Sequence, residues 1–154
     1  MLECFLPEDR DAGGGAPQAL ALLCISEMQF TAWRDAQPES TRAFVERSGF
    51  APERGRVLLV PDAAGRPACL LAGAGTGLKD ALATFWFAAG LADRLPAGDY
   101  RLADPLPTAQ EFALGWAYGS YRFLQYRPQS SASRGARLLL PTGIARDYVE
   151  AATL

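Results

Sequence analysis

Short apolar runs bounded by turn residues alternate along this chain with segments of helical periodicity. The run ALALLCIS at 19–26 predicts a strand buried on both faces, as in a sheet covered by helices on each side. RVLLVPD at 56–62 and RPACLLAG at 66–73 predict a β-hairpin, because Asp62 and Gly65 between them supply turn chemistry. This alternation restricts the chain to the α/β class.

The segments between and after these strands complete the predicted order. Helices are expected over 27–37, 38–48, 81–95 and 108–125, short strands over 100–104 and 136–141, and a last helix over 144–154. Gly49 is the expected stop of the second helix, and Pro96, Gly98 and Asp99 that of the third. The order β-α-α-β-β-α-β-α-β-α predicts a single domain with a mixed sheet and helices on both faces.

Apolar spacing predicts which side each helix buries. In helix 38–48 the apolar contacts are Phe44 and Val45. In the segment 78–95 the helical spacing selects Leu78, Leu82, Phe85, Ala89, Leu91 or Ala92, and Leu95. In helix 108–125 it selects Phe112, Trp116, Gly119 or Ser120, and Phe123. Gly115 and Gly119 cost that helix about 1 kcal/mol each in propensity, so a closely packed neighbour is expected beside them.

Charge and composition exclude several classes of protein. The 154 residues carry 15 Lys and Arg against 17 Asp and Glu, and the arginines are scattered, so no basic stripe predicts a nucleic-acid partner. Residues 1–10 contain acids where a signal peptide has a basic start, and no apolar stretch is long enough to span a membrane. We therefore expect a soluble, cytoplasmic protein without a membrane partner.

Residues that usually carry catalysis or hold metals are few. Cys4, Cys24 and Cys69 form no C-x-x-C pair, and a reducing cytosol fits them best. The chain has no histidine to activate a cysteine or a serine. Neither the carboxylates nor the serines show a spacing typical of a site: they are Glu8, Asp9, Asp11, Asp93, Asp99, Asp104, Glu111, Ser130, Ser131 and Ser133. The predicted catalytic, cofactor-binding and metal-binding residues are therefore none.

A glycine-rich loop, Gly73-Ala-Gly-Thr-Gly77, lies between a predicted strand and a predicted helix. This layout can bind a phosphate through backbone N–H groups, and Lys79 could add charge. The loop matches neither G-x-x-x-x-G-K-[ST] nor G-x-G-x-x-G, and Asp80 at the helix start would repel a phosphate. A structural loop is favoured over a nucleotide site, which stays open as the alternative.

Aromatic residues are concentrated in the second half of the long helix: Trp116, Tyr118, Tyr121, Phe123 and Tyr126. On a helix these side chains point in several directions, so base stacking is not favoured. Core packing together with a protein interface is the preferred interpretation.

The run ALGWAYGSYRFLQY at 113–126, followed by ARLLLPTGI at 136–144, resembles the amino-terminal domain of leucyl (cytosol) aminopeptidases. Gly119, Tyr121, Arg122, Phe123 and Tyr126 match a pattern common in that family. Gly49-Phe50 before Gly55, LLAGAG at 70–75 and LPAGDYRLAD at 95–104 agree with it in the expected order. The resemblance extends over about 18–154, whereas 7–17 matches nothing in particular.

The resemblance implies a macro-domain-like, three-layer α/β/α fold for this chain. It also implies that hydrolysis of the first peptide bond belongs to a separate carboxy-terminal domain holding two divalent metals, zinc or manganese. That domain's Asn-Thr-Asp-Ala-Glu-Gly-Arg-Leu signature has no counterpart here, so no catalytic residue is carried over. Some members bind DNA, which the acidic balance of this chain does not support.

The expected organisation follows from the resemblance. A variable, flexible segment, 1–17, precedes a macro-like domain, 18–143, and the helix at 144–154 starts a connector to the catalytic domain. That helix is apolar up to Leu154 and shows no C-terminal cap. The implied partners are this catalytic domain and further copies of the chain in a hexamer. The alternative function is that of a free-standing macro-like module binding a nucleotide or ADP-ribose at 73–79.

Overall fold

A computed structural model describes residues 4–5, 19–104, 106–126, 135–141 and 144–153. Its elements follow the predicted order, and the α/β class is confirmed. They are β1 (Leu20–Ile25), α1 (Glu27–Asp35), α2 (Glu39–Ser48), β2 (Val57–Pro61), β3 (Pro67–Gly73), α3 (Ala81–Arg94), β4 (Gly98–Leu102), α4 (Ala109–Tyr126), β5 (Ala136–Leu138) and α5 (Arg146–Thr153). None of the helices described is long and apolar enough to cross a membrane.

The strands form one mixed sheet in the order β2-β3-β1-β4-β5. β1 is parallel to β3, with Ala21 opposite Cys69 and Ile25 opposite Gly73. β2 is antiparallel to β3, which confirms the hairpin, and β4 is parallel to β5. The chain divides into two compact units, 20–78 with 102–104, and 1–19 with 79–101 and 105–154.

In the unit formed by 20–78 and 102–104, helices α1 and α2 accompany the strands β1, β2 and β3. Its core cluster consists of Ile25, Phe30, Val45, Phe50, Val60 and Leu71. Helix α1 begins with a capping box: the backbone N–H of Gln29 donates to Ser26 Oγ, and the backbone N–H of Ser26 donates to Gln29 Oε1. Gly49 ends α2 in the left-handed conformation at φ 68°, as expected from the sequence.

The hairpin turn depends on one carboxylate. Asp62 Oδ1 accepts hydrogen bonds from the N–H groups of Ala64 and Arg66, both at 2.9 Å. Gly65 adopts φ 80°, a conformation that other residues rarely tolerate. The turn chemistry anticipated for Asp62 and Gly65 is therefore present.

The other unit contains the pair of helices α3 and α4, the strands β4 and β5, and α5. Strands β4 and β5 are joined by their backbones and by Arg137, whose Nε donates to Asp99 Oδ1 at 2.9 Å. Phe112, Trp116 and Leu138 are completely buried. Helix α5 packs against α4, and its Val149 is also completely buried.

Two residues near the start of the chain belong to this second core. Phe5 forms a parallel bridge with Leu138 and is buried, and the N–H of Leu138 donates to the carbonyl of Cys4 at 2.8 Å. Trp116 Nε1 donates to the same carbonyl at 3.2 Å. This anchoring was not anticipated from the sequence, where 1–17 is expected to be variable and flexible. The polar segment 7–17 lies outside the described residues.

Several predicted boundaries and buried positions were wrong. Helix α3 ends at Arg94, within one residue of the predicted end, but the strand predicted over 100–104 begins earlier, because Gly98 and Asp99 already belong to β4. Strand β5 has only three residues. Leu82 and Phe44, both predicted as core contacts, are exposed, Leu82 at 68%. Leu82 lies on a helix whose apolar residues exceed one stripe, so periodicity alone did not determine which of them face inward. On α2, Phe44 is adjacent to Val45 and points about 100° away from it around the helix, and Val45 is the one that is buried.

Candidate functional site

The glycine loop after β3 is the first candidate site. Its backbone N–H groups donate to carbonyls of the same unit: Ala74 to Ile25 at 2.8 Å, Gly75 to Pro52 at 2.9 Å and Gly77 to Ala74 at 3.0 Å. The N–H of Gly73 likewise donates to Arg56 at 2.7 Å. A phosphate cradle needs such groups to point at the ligand, and these four point into the fold.

The glycines of this loop are explained by packing and backbone conformation. A Cβ atom on Gly73 would lie 2.7 Å from the carbonyl carbon of Pro52 and closer still to the carbonyl oxygen of Glu53. Gly75 has φ 60° and Gly77 has φ 117°. The loop therefore needs glycine because the backbone of 52–54 lies against it and because two of its residues adopt left-handed conformations.

Asp80 occupies the position at the start of α3 where an anion would bind. Its Oδ1 accepts a hydrogen bond from the N–H of Ala83 at 2.7 Å, so the carboxylate serves as the N-cap. Lys79 beside it is exposed. A second anion at this helix end would meet a negative charge, which supports the predicted structural loop over a nucleotide site.

Carboxylates and cysteines do not converge in the part of the chain that the structure describes, where no group of three or more potential metal ligands occurs. Asp93 lies near the end of α3, Asp99 is paired with Arg137, and Glu111 lies in the first turn of α4. Asp104 follows β4 and is exposed. The candidates Glu8, Asp9, Asp11, Ser130, Ser131 and Ser133 fall outside the described residues.

The thiol of Cys24 is suited to packing and not to nucleophilic attack. Burial raises its pKa to about 12, and the Asp104 carboxylate contributes in the same direction. Burial also raises the pKa of the Cys69 thiol. Reactive cysteines have depressed pKa values, so these two behave as the small hydrophobes predicted from their apolar runs.

Two glycines on α4 allow α3 and α4 to pack closely, as predicted from the sequence. A Cβ atom on Gly115 would lie 2.8 Å from the carbonyl carbon of Phe85, and one on Gly119 would lie 2.8 Å from that of Ala89. The carbonyl oxygens of Phe85 and Ala89 would be closer still. The two helix backbones are therefore nearly in contact at two points, which lie one helical turn apart along α4.

One side of this helix pair forms the core. Phe112 stacks on Trp116 with ring centroids 6.2 Å apart, and Phe87 lies 6.4 Å from Phe112. Thr84, the only polar residue among the buried residues described, pairs its hydroxyl with that of Thr108 at 2.8 Å. The predicted burial of Phe112, Trp116 and Gly119 is confirmed. The side chain of Phe123 is not among those described.

The other side carries exposed apolar and aromatic side chains, and we call it the aromatic surface: Leu82, Trp86, Tyr118 and Tyr121. Their exposed fractions are 68%, 50%, 41% and 55%. The ring of Trp86 meets that of Tyr118 edge to face at 5.7 Å, and Phe85 contacts both rings at 5.2 and 5.6 Å. These ring contacts restrict Trp86 and Tyr118, so this part of the surface is ordered before any partner binds.

Half of this surface was predicted from the sequence. Tyr118 and Tyr121 were among the residues assigned to core packing and an interface, and both are exposed here. Leu82 was assigned to the core, and Trp86 was not singled out. The signal that could have revealed them is the run ALATFWFAAGLA at 81–92, whose apolar residues surround the helix on more sides than one buried face requires. The side chain of Tyr126 is outside the described set.

Comparison with known proteins gives independent evidence about the family and the fold of this chain. The family model of the M17 aminopeptidase N-terminal domain matches residues 20–141. The crystal structure of a cytosol aminopeptidase from Coxiella burnetii is similar, with a TM-score of 0.74 and 26% identity over 96% of this chain. The bottromycin maturation enzyme BotP shows a TM-score of 0.53 and 28% identity over 89% of it.

A tomato leucine aminopeptidase mutant shares the fold alone, at 15% identity and a TM-score of 0.50 over 86% of this chain and 31% of its own. The match covers 30% of the Coxiella burnetii chain and 30% of BotP, so this chain spans about a third of their length. No curated protein sequence matches significantly.

Proposed function

This chain belongs to the family of M17 aminopeptidase N-terminal domains, and on that basis we propose that it is the non-catalytic amino-terminal domain of a two-metal leucyl aminopeptidase. The parent enzyme would remove amino acids from the amino termini of peptides. The observation that carries this proposal is the agreement of two matches: the family model over 20–141, and a solved cytosol aminopeptidase over 96% of the chain.

The chemistry of the described residues supports the proposal that catalysis takes place in another part of the parent enzyme. A two-metal hydrolase binds its ions through a converging set of carboxylates and other donors. The described ranges contain no such set, so these residues do not fit the metals. We assign the two divalent ions, zinc or manganese, to the catalytic portion and derive no step through them here.

The domain organisation that we propose has three parts. Residues 1–17 form an amino-terminal segment, of which Cys4 and Phe5 are anchored on β5 and α4. Residues 18–143 form the macro-like domain, and 144–154 start the connector to the catalytic portion. Helix α5 supports this assignment because it packs on α4 through the buried Val149 while Tyr148 beside it is half exposed.

The proposed role of the domain is to shape subunit contacts and access to the active site in a cytoplasmic homo-oligomer, a hexamer. The aromatic surface supports a role in contacts with another part of the enzyme, since large aromatic residues with a polar handle are enriched at protein interfaces. The cytoplasmic placement rests on the spacing of Cys4, Cys24 and Cys69, which form no C-x-x-C pair and fit a reducing cytosol.

Hydrolysis of leucine p-nitroanilide tests the proposal. The 154-residue chain should release no nitroaniline with or without added manganese, whereas the product of the complete reading frame should do so. Chelation should abolish the activity of the complete protein, and manganese or zinc should restore it. Metal-dependent hydrolysis by the 154-residue chain alone, or none by the complete protein reloaded with either metal, would refute the proposal.

A further inference from the structure

Resting on the proposed function, we infer that the aromatic surface of Leu82, Trp86, Tyr118 and Tyr121 is the docking face for the catalytic portion of the same polypeptide. All four residues lie on α3 and α4 within one compact unit. Isolated exposed apolar residues are ordinary, but four large apolar side chains on one helix pair, two of them with rings in contact, are typical of a binding surface.

The rigidity of the surface suits an interface anchor. Trp86 and Tyr118 are fixed by each other and by Phe85, with ring centroids 5.2 to 5.7 Å apart. Gly115 and Gly119 lock the two helices that carry them. A partner therefore meets side chains whose conformational freedom is already restricted, which lowers the entropic cost of binding.

The size of the surface favours a tethered partner over a second copy of the chain. Three aromatic side chains at about half exposure and one leucine present about 400 Å² of apolar surface. A stable complex between separate chains buries about 800 Å² on each partner. An interface between domains of one chain needs less, because the tether supplies a high effective concentration.

The position of the connector agrees with a partner on the same chain. Helix α5, which we propose as the start of the connector, packs against α4, the helix that presents Tyr118 and Tyr121. About 70% of the Coxiella burnetii aminopeptidase lies outside the match, because the match covers 30% of it. We infer that a portion of that size, attached after α5, covers the aromatic surface on α3 and α4.

Hydroxyl-radical footprinting read by mass spectrometry tests the inference. We compare the 154-residue chain with the complete protein and expect modification of Trp86 to fall several-fold in the complete protein. Met28, 90% exposed on α1, is the matched control and should be modified equally in both. Trp116, completely buried, should stay protected in both and reports that the short chain is folded.

The outcomes separate the two proposals. Equal modification of Trp86 in both proteins, with Trp116 protected, overturns the docking face. Protection of Trp86 that disappears when the complete protein dissociates to monomers assigns the face to a second copy and overturns the same-chain partner. Protection of Trp86 in a complete protein that does not hydrolyse leucine anilide when reloaded with manganese or zinc retains the docking face and refutes the proposed activity.

A substitution gives an independent readout. Trp86→Glu should lower the Tm of the complete protein more than Met28→Glu does, because only the first places a charge in a buried interface. In the 154-residue chain Trp86→Glu removes only the ring contacts of Trp86 with Phe85 and Tyr118, so the difference between the two variants should be smaller there. An equal difference between the variants in both proteins would contradict the inference.

Discussion

At the scale of single residues, glycines in neighbouring helices have opposite roles. Gly115 and Gly119 on α4 face the backbone of α3, where a methyl group would collide with the carbonyls of Phe85 and Ala89. Gly90, in the interior of α3, has no atom within 4 Å of where its Cβ would be. Close packing requires glycine at positions 115 and 119, whereas nothing around Gly90 requires glycine there.

The contrast predicts substitutions of opposite sign. Gly90→Ala should raise the free energy of unfolding by roughly 0.5–1 kcal/mol, because alanine gains helix propensity at no steric cost. Gly115→Ala should lower it by about 1–3 kcal/mol, because the helices must separate. Urea unfolding of the 154-residue chain measures both, with the wild type as reference. Equal stabilisation by the two substitutions would mean that α3 and α4 are not in such close contact.

Cys24 predicts a dependence of stability on pH. In the folded chain its thiol pKa is raised from 9.0 to about 12, so above 9.0 the unfolded thiol loses its proton while the folded one keeps it. Deprotonation then stabilises the unfolded state, and the free energy of unfolding should fall as pH rises from 9.0 towards 12. Below 9.0 this residue should contribute no pH dependence.

Comparison with Cys24→Ala isolates this effect, because Cys69 and Tyr100 also have raised pKa values and weaken the fold in alkali. The wild type should lose more stability than the variant between neutral and alkaline pH, as measured by urea unfolding. Parallel pH profiles would show that the folded Cys24 titrates normally.

At the scale of elements, the order of strands and helices was predictable because each strand is a continuous apolar run between turn residues. Gly49 and the Asp62–Gly65 turn were also readable, since both need a special backbone conformation. The face of α3 that points inward could not be predicted, because apolar residues occur on most sides of that helix and more than one face could be buried. The anchoring of Phe5 was equally hidden, since it depends on pairing with Leu138, far away along the chain.

The glycine loop predicts an absence of nucleotide binding. Because the N–H groups of Gly73, Ala74, Gly75 and Gly77 donate within the fold and Asp80 caps α3, ADP-ribose should find no phosphate cradle. Calorimetric titration at millimolar ligand should give no heat beyond dilution. Asp80→Asn, which removes the negative charge, should behave the same. Saturable heat with the wild type would revive the alternative of a nucleotide-binding module.

At the scale of the whole molecule, the chain combines two compact units, a closely packed helix pair with an aromatic outer surface, and membership of an aminopeptidase family. The fold class and the family were predictable because strand runs and the YRFLQY region are local in sequence. The aromatic surface was only half predictable, because exposure depends on which helix faces are covered in three dimensions.

We propose that this chain is the amino-terminal domain of a larger aminopeptidase, and the length of its reading frame tests this proposal most directly. We predict that the frame continues for several hundred residues past Leu154 and encodes the metal ligands that the described residues lack. A stop codon directly after Leu154 in the natural gene would contradict both the proposed function and the docking face.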